Sequence, residues 1–255
     1  WGIWAAALAT CSGMFICTVI AFVPFFREKA VLRFCRPHFT VSLVRQIITC
    51  GTPNFLNNIA GRITSILMNV ILVRLGGEMA VSVYGILMFA EGLIQPLLYG
   101  MCDSLQPAVG YNWGAQKFSR VRAIEKCCFT ASGILSLLSV VLMALFPEQL
   151  TRLFISGAGP DVTAMSVTAI RLFSLTYITR WFSFATQSYM LAIEKPLPAS
   201  LISVSTALIF PVILIIALWP FGLTGIWLNF AGTSALAAVM SAVILTRLRA
   251  ELSKP

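Results

Sequence analysis

The sequence has few charged residues and only one histidine. Just 11% of its 255 residues are Asp, Glu, Lys or Arg, whereas 58% are hydrophobic and the mean hydropathy is +0.89. One globular core cannot hide this many apolar side chains from water. The composition therefore excludes a secreted disulfide scaffold, a disordered tail and a water-soluble enzyme, and it predicts a protein whose solvent is lipid.

The residue patterns of metal sites and catalytic centres are also missing from the sequence. The seven cysteines form no C-x-x-C pair, and His38 has no partner at the spacing of metal ligands. We interpret the cysteines as reduced, small, buried hydrophobic residues. The sequence has no G-x-S-x-G motif, no P-loop and no cluster of acids. We therefore expect no metal, no cofactor and no enzymatic activity, so that any transport must draw on an ion gradient or run passively.

Apolar segments long enough to cross a bilayer make up most of the chain. A transmembrane helix needs about 20 residues, and the long Val, Ile and Leu runs lack the period-2 alternation of barrel strands. The Pro and Gly of a turn, Trp219 to Gly222, divide the last run in two. We predict an all-α polytopic membrane bundle of about seven transmembrane helices. The segments are Trp1 to Phe26, Val44 to Leu75, Ala80 to Leu105, Cys127 to Phe146, Val162 to Leu191, Pro198 to Leu218 and Leu223 to Leu245.

Basic residues gather in alternate connections between these segments. By the positive-inside rule those connections are cytoplasmic, which predicts a carboxyl terminus inside the cell. The net charge of +9 is thus a signal of membrane orientation, and we expect no nucleic-acid partner. The basic linker at 27–43 is either an amphipathic interfacial segment or a solvated loop. The basic residues are Arg27, Lys29, Arg33, Arg36, Arg45, Lys117, Arg120, Arg122, Lys126, Lys195, Arg247, Arg249 and Lys254.

Polar residues inside the spans are the candidate functional residues, because a polar group in lipid is costly unless it faces protein or a wet cavity. In the span Val44 to Leu75, seven such positions fall within an arc of about 140° at 100° per residue. This face either lines a cavity or bridges packed helices. Its members are Asn54, Asn57, Asn58, Gly61, Arg62, Ser65 and Asn69.

The next span carries Glu91 near mid-depth. A short turn at Gly76-Gly77 predicts two antiparallel helices that bring Glu91 and Arg62 to similar depth, where an ion pair would keep both in a low-dielectric interior. Glu91 is either a structural partner of Arg62 or a protonatable site that couples proton binding to a conformational change. We interpret Asp103, at the inner end, as a hydrogen-bond acceptor. Tyr84, Met88, Gln95 and Tyr99 share the face of Glu91.

A third polar face lies in the span Val162 to Leu191. At 100° per residue it contains Thr176, Arg180, Ser183 and Gln187, while Arg171 points away from it. Arg180 either lines the cavity or extends its side chain toward the membrane surface.

Several motifs, in this order, resemble those of the multidrug and toxic compound extrusion (MATE) transporters. Gly51-Thr52-Pro53 and the segment Phe221 to Trp227 are similar to helix openings of that family. The strongest signal is similar to its Q-P-x-x-G-Y-N-x-G-A element. Physically we interpret that element as a helix end, interrupted by Pro and two Gly, and not as a ligand site. Its residues here are Gln106, Pro107, Gly110, Tyr111, Asn112 and Gly114.

The resemblance implies half of a fold of two six-helix lobes around a central cavity. It implies export of amphipathic or cationic compounds in exchange for H⁺ or Na⁺, by a multi-pass monomer in the plasma membrane. Residues 1–26 would be the last helix of the amino-terminal lobe, 27–43 a cytoplasmic linker, 44–247 the carboxyl-terminal lobe and 248–255 a cytoplasmic tail. Because the chain opens with Trp1, we expect a lobe before it, without which the chain alone would not transport.

The sequence departs from the branch of the family that binds its cation in this lobe. In that branch the seventh helix carries a glutamate and the tenth an aspartate, but neither corresponding span here has an interior acid. This departure favours protonation elsewhere, at an acid in the other lobe or at Glu91. Two further hypotheses stay open. One is a flippase for lipids or lipid-linked saccharides, as Arg62, Arg171 and Arg180 suit phosphates, and the other is a membrane scaffold.

Overall fold

The protein is built from helices that are suited to a membrane. A computed structural model describes residues 2–26, 40–154 and 159–252, and over these ranges helices alternate with short turns. Five helical segments are long and apolar enough to cross a bilayer. The prediction of an all-α membrane bundle is confirmed. Most of the predicted linker (27–39) and the end of the predicted tail (253–255) lie outside the described residues.

The chain divides into two compact units, Trp1–Ile47 and Ile48–Pro255. The first unit contains helix α1, Gly2–Phe22, which continues into a 3₁₀ turn at Val23–Phe26. Exposed apolar side chains, such as those of Trp4 and Phe15, surround α1. A helix that is hydrophobic all round fits a membrane span.

The remaining helices follow one another closely along the chain. Turns of a few residues separate some of them, as is typical of antiparallel neighbours, whereas others are joined by a break or bend within one span. Helix α10 continues past the predicted lobe boundary at residue 247. The helices are α2 (Val41–Asp103), α3 (Leu105–Gly114), α4 (Phe118–Leu145), α5 (Pro147–Phe154), α6 (Pro160–Ser174), α7 (Thr176–Ala192), α8 (Pro196–Val204), α9 (Phe210–Leu218) and α10 (Gly222–Leu252).

Two glycines divide the two longest apolar segments. These segments, Asn58–Gly114 and Pro196–Ala250, have 57 and 55 residues, whereas one span needs about 20. Gly77 has φ 62° and ψ −156°, and Gly222 has φ 57° and ψ −137°. Such left-handed backbone interrupts a helix and favours glycine. The described residues therefore form seven spans, and both turns lie where the sequence predicts them.

Two further breaks follow from proline. Pro107 has no N–H to donate to the carbonyl of Asp103, and the helix breaks at Ser104, between α2 and α3. Pro211 leaves the carbonyl of Ala207 without its usual donor, and the residues before it, Ser205–Ile209, widen into a π-helix. The hydroxyl of Thr64 on α2 donates to this Ala207 carbonyl at 2.5 Å. Proline thus creates the acceptor that ties α2 to the α8–α9 span.

The predicted span Val162 to Leu191 is bent. It consists of α6 and α7, which meet at Leu175. The hydroxyl of Ser174 donates to the carbonyl of Arg171 at 2.7 Å, a back-bond that bends helices. A short helix, α5, precedes the bent span. Glu148 lies in its first turn and Arg152 in its last turn, where the helix dipole stabilises each of these charges. Neither the bend nor α5 was predicted from the sequence.

Helix α7 lies at the centre of the second unit. It packs against α10, α4, α8 and α3. Where α4 meets α7, the hydroxyl of the buried Ser136 donates to the carbonyl of Tyr177, and Phe129 packs against the rings of Trp181 and Phe182. Small hydroxyl side chains let helices approach closely. This packing places the polar face of α7 inside the lobe.

Large apolar side chains cover the outer surface of the second unit, as lipid requires. Three of the five described free cysteines, Cys11, Cys17 and Cys127, are exposed, while Cys102 is buried. The prediction that the cysteines are buried is therefore wrong for these three. An exposed thiol on an apolar helix is not penalised, because its solvent is hydrocarbon.

Candidate functional site

A polar cavity of about 830 Å³ opens inside the second unit. Both halves of α2 line it, together with α7, α10 and the region around the π-helix. Arg62 and Glu91 both contribute, although 29 residues of straight helix would separate them by about 44 Å. The two halves of α2 must therefore fold back on each other at Gly77, as the antiparallel prediction requires.

The cavity brings together most of the residues singled out from the sequence. Three separate polar faces, on the two halves of α2 and on α7, turn toward the same space. The predicted residues that line it are Asn58, Arg62, Ser65, Glu91, Gln95, Arg180 and Gln187.

Of the other three predicted residues, only Asn69 has a described side chain, and it does not line the cavity. Asn69 turns back on its own helix and donates from Nδ2 to the carbonyl of Ser65 at 2.8 Å. Asn54 and Asn57 belong to the helical backbone of α2, but their side chains lie outside what the structure describes.

An ion pair forms part of the cavity wall. Nη2 of Arg180 donates to Oε1 of Glu91 at 2.5 Å, and Oε1 of Gln95 lies 3.5 Å from the same nitrogen. The two side chains are 17% and 16% exposed. The pair joins α7 to the second half of α2, so it contributes both to the cavity wall and to the packing of the lobe.

The predicted ion pair between Glu91 and Arg62 is wrong. Arg180 takes that place, and Arg62 forms no ion pair with any residue in the described part of the chain. Helical spacing gave the depth of Glu91 but not which neighbouring helix faces it. The centre of the Arg180 guanidinium lies 5.3 Å from the Phe184 ring and 5.9 Å from the Tyr177 ring, and cation–π contacts with both hold it toward Glu91.

Aromatic and methionine side chains form the apolar part of the cavity wall. Tyr99 and Phe184 stack with ring centroids 4.4 Å apart, and Tyr84 stacks on Phe230 at 6.2 Å. Met68 and Met88 add flexible, polarisable surface. The cavity therefore has charged, polar and apolar walls and is suited to an amphipathic molecule.

Several neutral hydrogen-bonding groups complete the lining. The hydroxyls of Thr176 and Ser183 are buried and have no hydrogen-bond partner among the described residues. On α10, Nδ2 of Asn229 donates to the carbonyl of Pro211 at 2.8 Å, and Thr233 donates to Oδ1 of Asn229 at 3.3 Å. Sequence reasoning missed the α10 residues, although Asn229 and Thr233 stand four residues apart, and so on one helix face, in a predominantly apolar run.

The motif at 106–115 lies away from the cavity. Most of it forms α3, which ends at Gly114 when the amides of Gln116 and Lys117 donate to the carbonyls of Trp113 and Asn112. The expectation that Pro107 and both glycines interrupt the helix is partly wrong. The break precedes the motif at Ser104, and Gly110 lies within α3, where a Cβ would come within 3.5 Å of the Ala192 carbonyl.

The side chains of the motif make local contacts. Nε2 of Gln106 donates to Asp103, and Nδ2 of Asn112 donates to the carbonyl of Ala108. Tyr111 is exposed. Asp103 also accepts a hydrogen bond from Ser188 at 2.8 Å, which confirms its prediction as an acceptor.

A second ion pair joins α4 to α10. Nη2 of Arg249 lies 2.5 Å from Oε1 of Glu125, whose side chain is buried, whereas Arg249 is exposed. It stands outside the cavity, at the end of α10. We interpret it as a structural tie between the two helices.

The fold and the cavity define a polytopic α-helical membrane protein with a polar cavity inside its helical lobe. The chain belongs to the MatE family, whose model matches residues 53–217. The resemblance recognised from the sequence motifs is therefore confirmed.

Relatives in sequence carry the name of multidrug exporters. The chain is 24% identical over 255 residues to the multidrug export protein MepA of Staphylococcus saprophyticus, covering 98% of this chain and 55% of that protein. It is 22% identical over 212 residues to MepA of Staphylococcus aureus strain MSSA476, covering 83% of this chain and 46% of that protein. The chain thus spans about half the length of these relatives.

Solved structures match the same fold. An outward-facing multidrug resistance MATE family transporter of the MOP superfamily superposes with a TM-score of 0.85 at 19% identity, over 98% of this chain and 56% of that one. A MOP superfamily transporter from Pyrococcus furiosus gives a TM-score of 0.87 at 18% identity, over 100% of this chain and 58% of that one.

Proposed function

We propose that the chain is the carboxyl-terminal lobe of a secondary active exporter of amphipathic small molecules. The observation that carries the proposal is the polar cavity inside an apolar helical lobe, with Glu91 and Arg180 paired in its wall. Charged groups at such depth are costly and mark substrate or ion pathways in membrane proteins. The multidrug export names of the relatives support the same function.

The export is coupled to an inward flow of H⁺ or Na⁺ in this proposal. Glu91 is the one carboxylate among the described residues that line the cavity. A proton on Glu91 would weaken its hold on Arg180 and so loosen α7 from α2. Proton binding would thereby be linked to a change in the cavity wall.

The proposal also assigns the parts of the chain. Residues 1–26 form the last helix of a preceding lobe, 27–43 a cytoplasmic linker, 44–247 this lobe and 248–255 a tail. The exporter lies in the plasma membrane as a monomer with its carboxyl terminus in the cytoplasm. The basic residues near that terminus support this orientation, and a reporter fused after Pro255 tests it.

Energised vesicles that contain the full-length protein provide the test of export. We expect an amphipathic substrate to dissipate an imposed proton or sodium gradient faster than in vesicles without the protein. Failure to dissipate either gradient, with a panel of amphipathic compounds and a folded protein, would contradict coupled export.

The second candidate function is a flippase for lipids or lipid-linked saccharides. Two of the three arginines that suggest it, Arg62 and Arg180, line the cavity, where they are placed to contact a phosphate, whereas Arg171 is not part of the lining. Charge reversal at the two cavity arginines that abolishes lipid turnover and leaves drug resistance intact would favour this alternative over export.

A further inference from the structure

The positive and negative charges of the described side chains that line the cavity do not cancel. Among the described lining residues, those that carry charge are Arg62, Glu91 and Arg180. Glu91 and Arg180 form an ion pair at 2.5 Å and neutralise each other. Arg62 is left over, so the lining carries one net positive charge.

None of the described residues on the neighbouring elements compensates the charge of Arg62. The lining residues one turn away on its own helix, Asn58 and Ser65, are neutral, and α10 contributes the neutral Asn229 and Thr233. Arg62 is exposed and has no carboxylate partner in the described ranges. An arginine at this depth is costly unless an opposite charge meets it, and a bound ligand is a source of that charge.

The other residues that line the cavity indicate what the remainder of such a ligand is like. The part-exposed side-chain amides of Gln95 and Gln187 supply neutral hydrogen-bonding groups on the lining. The rings of Tyr84 and Phe184, with Met68, supply apolar surface for an alkyl or aromatic body. A planar guanidinium matches the paired oxygens of carboxylate, sulfonate and phosphate.

We infer that the cavity binds an amphipathic organic anion, with Arg62 as the residue that holds its carboxylate, sulfonate or phosphate group. The inference rests on the proposed function, because it names the substrate class of the export cavity. It differs from the cationic compounds that the family resemblance implies. Export of an anion is also favoured by an inside-negative membrane potential, so it does not require the acids that the first half of α2 and helix α7 lack.

Two dansyl compounds that share one fluorescent body test the inference in the purified full-length protein. Dansylglycine carries a carboxylate, and dansylcadaverine carries an ammonium group. We expect dansylglycine to bind more tightly, and Arg62→Gln to weaken it about tenfold, the effect of losing one charge-assisted contact. Arg62→Lys keeps the charge, so it should retain most of the affinity and show that a folded protein gave the result.

Two further variants sharpen the test. Arg74→Gln removes an exposed arginine three turns further along the same helix and outside the cavity, so it should leave both affinities unchanged. Glu91→Gln frees Arg180, so it should strengthen dansylglycine binding and weaken dansylcadaverine binding. Competition by short-chain phosphatidate and by naphthoate then separates a lipid headgroup from a soluble anion. The competitor whose inhibition of dansylglycine binding weakens in Arg62→Gln identifies which class of anion the cavity binds.

Tighter binding of dansylcadaverine in the unmodified protein, or equal effects of Arg62→Gln and Arg74→Gln, would overturn the inference. Such a result leaves export itself intact if gradient dissipation is still seen. Conversely, binding of dansylglycine that depends on Arg62, without gradient dissipation by any substrate, would sustain the anion site and reject coupled export.

Discussion

Arg180 and Glu91 stand 89 residues apart in the chain, yet the guanidinium of one donates to the carboxylate of the other at 2.5 Å. The bond connects the central helix α7 to the α2 hairpin across the wall of the cavity. Since both groups lie within apolar spans, each is the main source of opposite charge for the other.

Replacing one member of this pair is expected to destabilise the protein more than replacing both. Arg180→Gln or Glu91→Gln leaves a charge unpaired, which costs about 3–5 kcal/mol in a dry interior. The cost here is smaller, because the side chains keep 17% and 16% of their exposure. Thermal unfolding of the detergent-purified full-length protein measures it. The double variant should regain stability relative to the sum of the single changes, by about 0.5–3 kcal/mol; strictly additive losses would contradict the pairing.

Glu91→Gln is also expected to slow proton-coupled efflux without weakening the binding of an anionic substrate such as dansylglycine. The amide cannot release a proton, so the proposed link between proton binding and the hold on Arg180 is lost. Efflux from vesicles under an increasing proton gradient, compared with equilibrium binding, measures the two effects. Glu78→Gln, which changes an exposed acid near Gly77, is the matched control. Equal responses of the unmodified protein and Glu91→Gln to the gradient would remove Glu91 from coupling.

Hydrophilic thiol reagents are expected to distinguish the cavity from the lipid-facing surface. Ser65 lines the cavity, and its neighbour Ile66 is 64% exposed on the outside of the lobe. In a full-length protein without native cysteines, a membrane-impermeant reagent should label Ser65→Cys and spare Ile66→Cys, because only the wet thiol ionises and meets the reagent. The two residues are adjacent, so depth cannot explain a difference. If Ser65→Cys resists labelling from both sides, the cavity is dry.

Gly225→Ala is expected to destabilise the turn between α9 and α10. A Cβ at this position would clash with the backbone carbonyl oxygen of Leu218 and would force the turn to shift. We expect a loss of about 1–3 kcal/mol, the usual cost of overpacking, measured as a lower melting temperature. Gly85→Ala is the control, because nothing lies within 4 Å of its added Cβ, and alanine there should be neutral or stabilise by up to about 1 kcal/mol. Equal melting temperatures would contradict this account.

Local sequence signals predicted most of the helices. Apolar length located the spans, and the glycines at 77 and 222 were both recognised as turns. Polar periodicity also selected faces that meet at one cavity, since side chains at helical spacing lie on one side whatever the helix packs against. The bend at Leu175 and the π-helix at Ser205–Ile209 carry weaker signals, because serine back-bonding and a proline in an apolar run are each compatible with straight helices as well.

The partner of Glu91 could not be predicted from such signals. Depth along the membrane allowed both Arg62 and Arg180, and the choice depends on how α7 packs between α4 and α10. That packing includes contacts such as the hydrogen bond of Ser136, whose role becomes visible only when the helices are assembled. The unbalanced charge of the cavity follows from this choice.

The turn at Gly77 connects the two halves of α2 without an intervening loop. A single residue of left-handed backbone connects the two halves, so Arg62 and Glu91 belong to one continuous hairpin, whereas Arg180 belongs to α7. A movement of α7 away from the α2 hairpin therefore has to break the ion pair between Glu91 and Arg180. Arg62 would then move together with Glu91, because both belong to the hairpin.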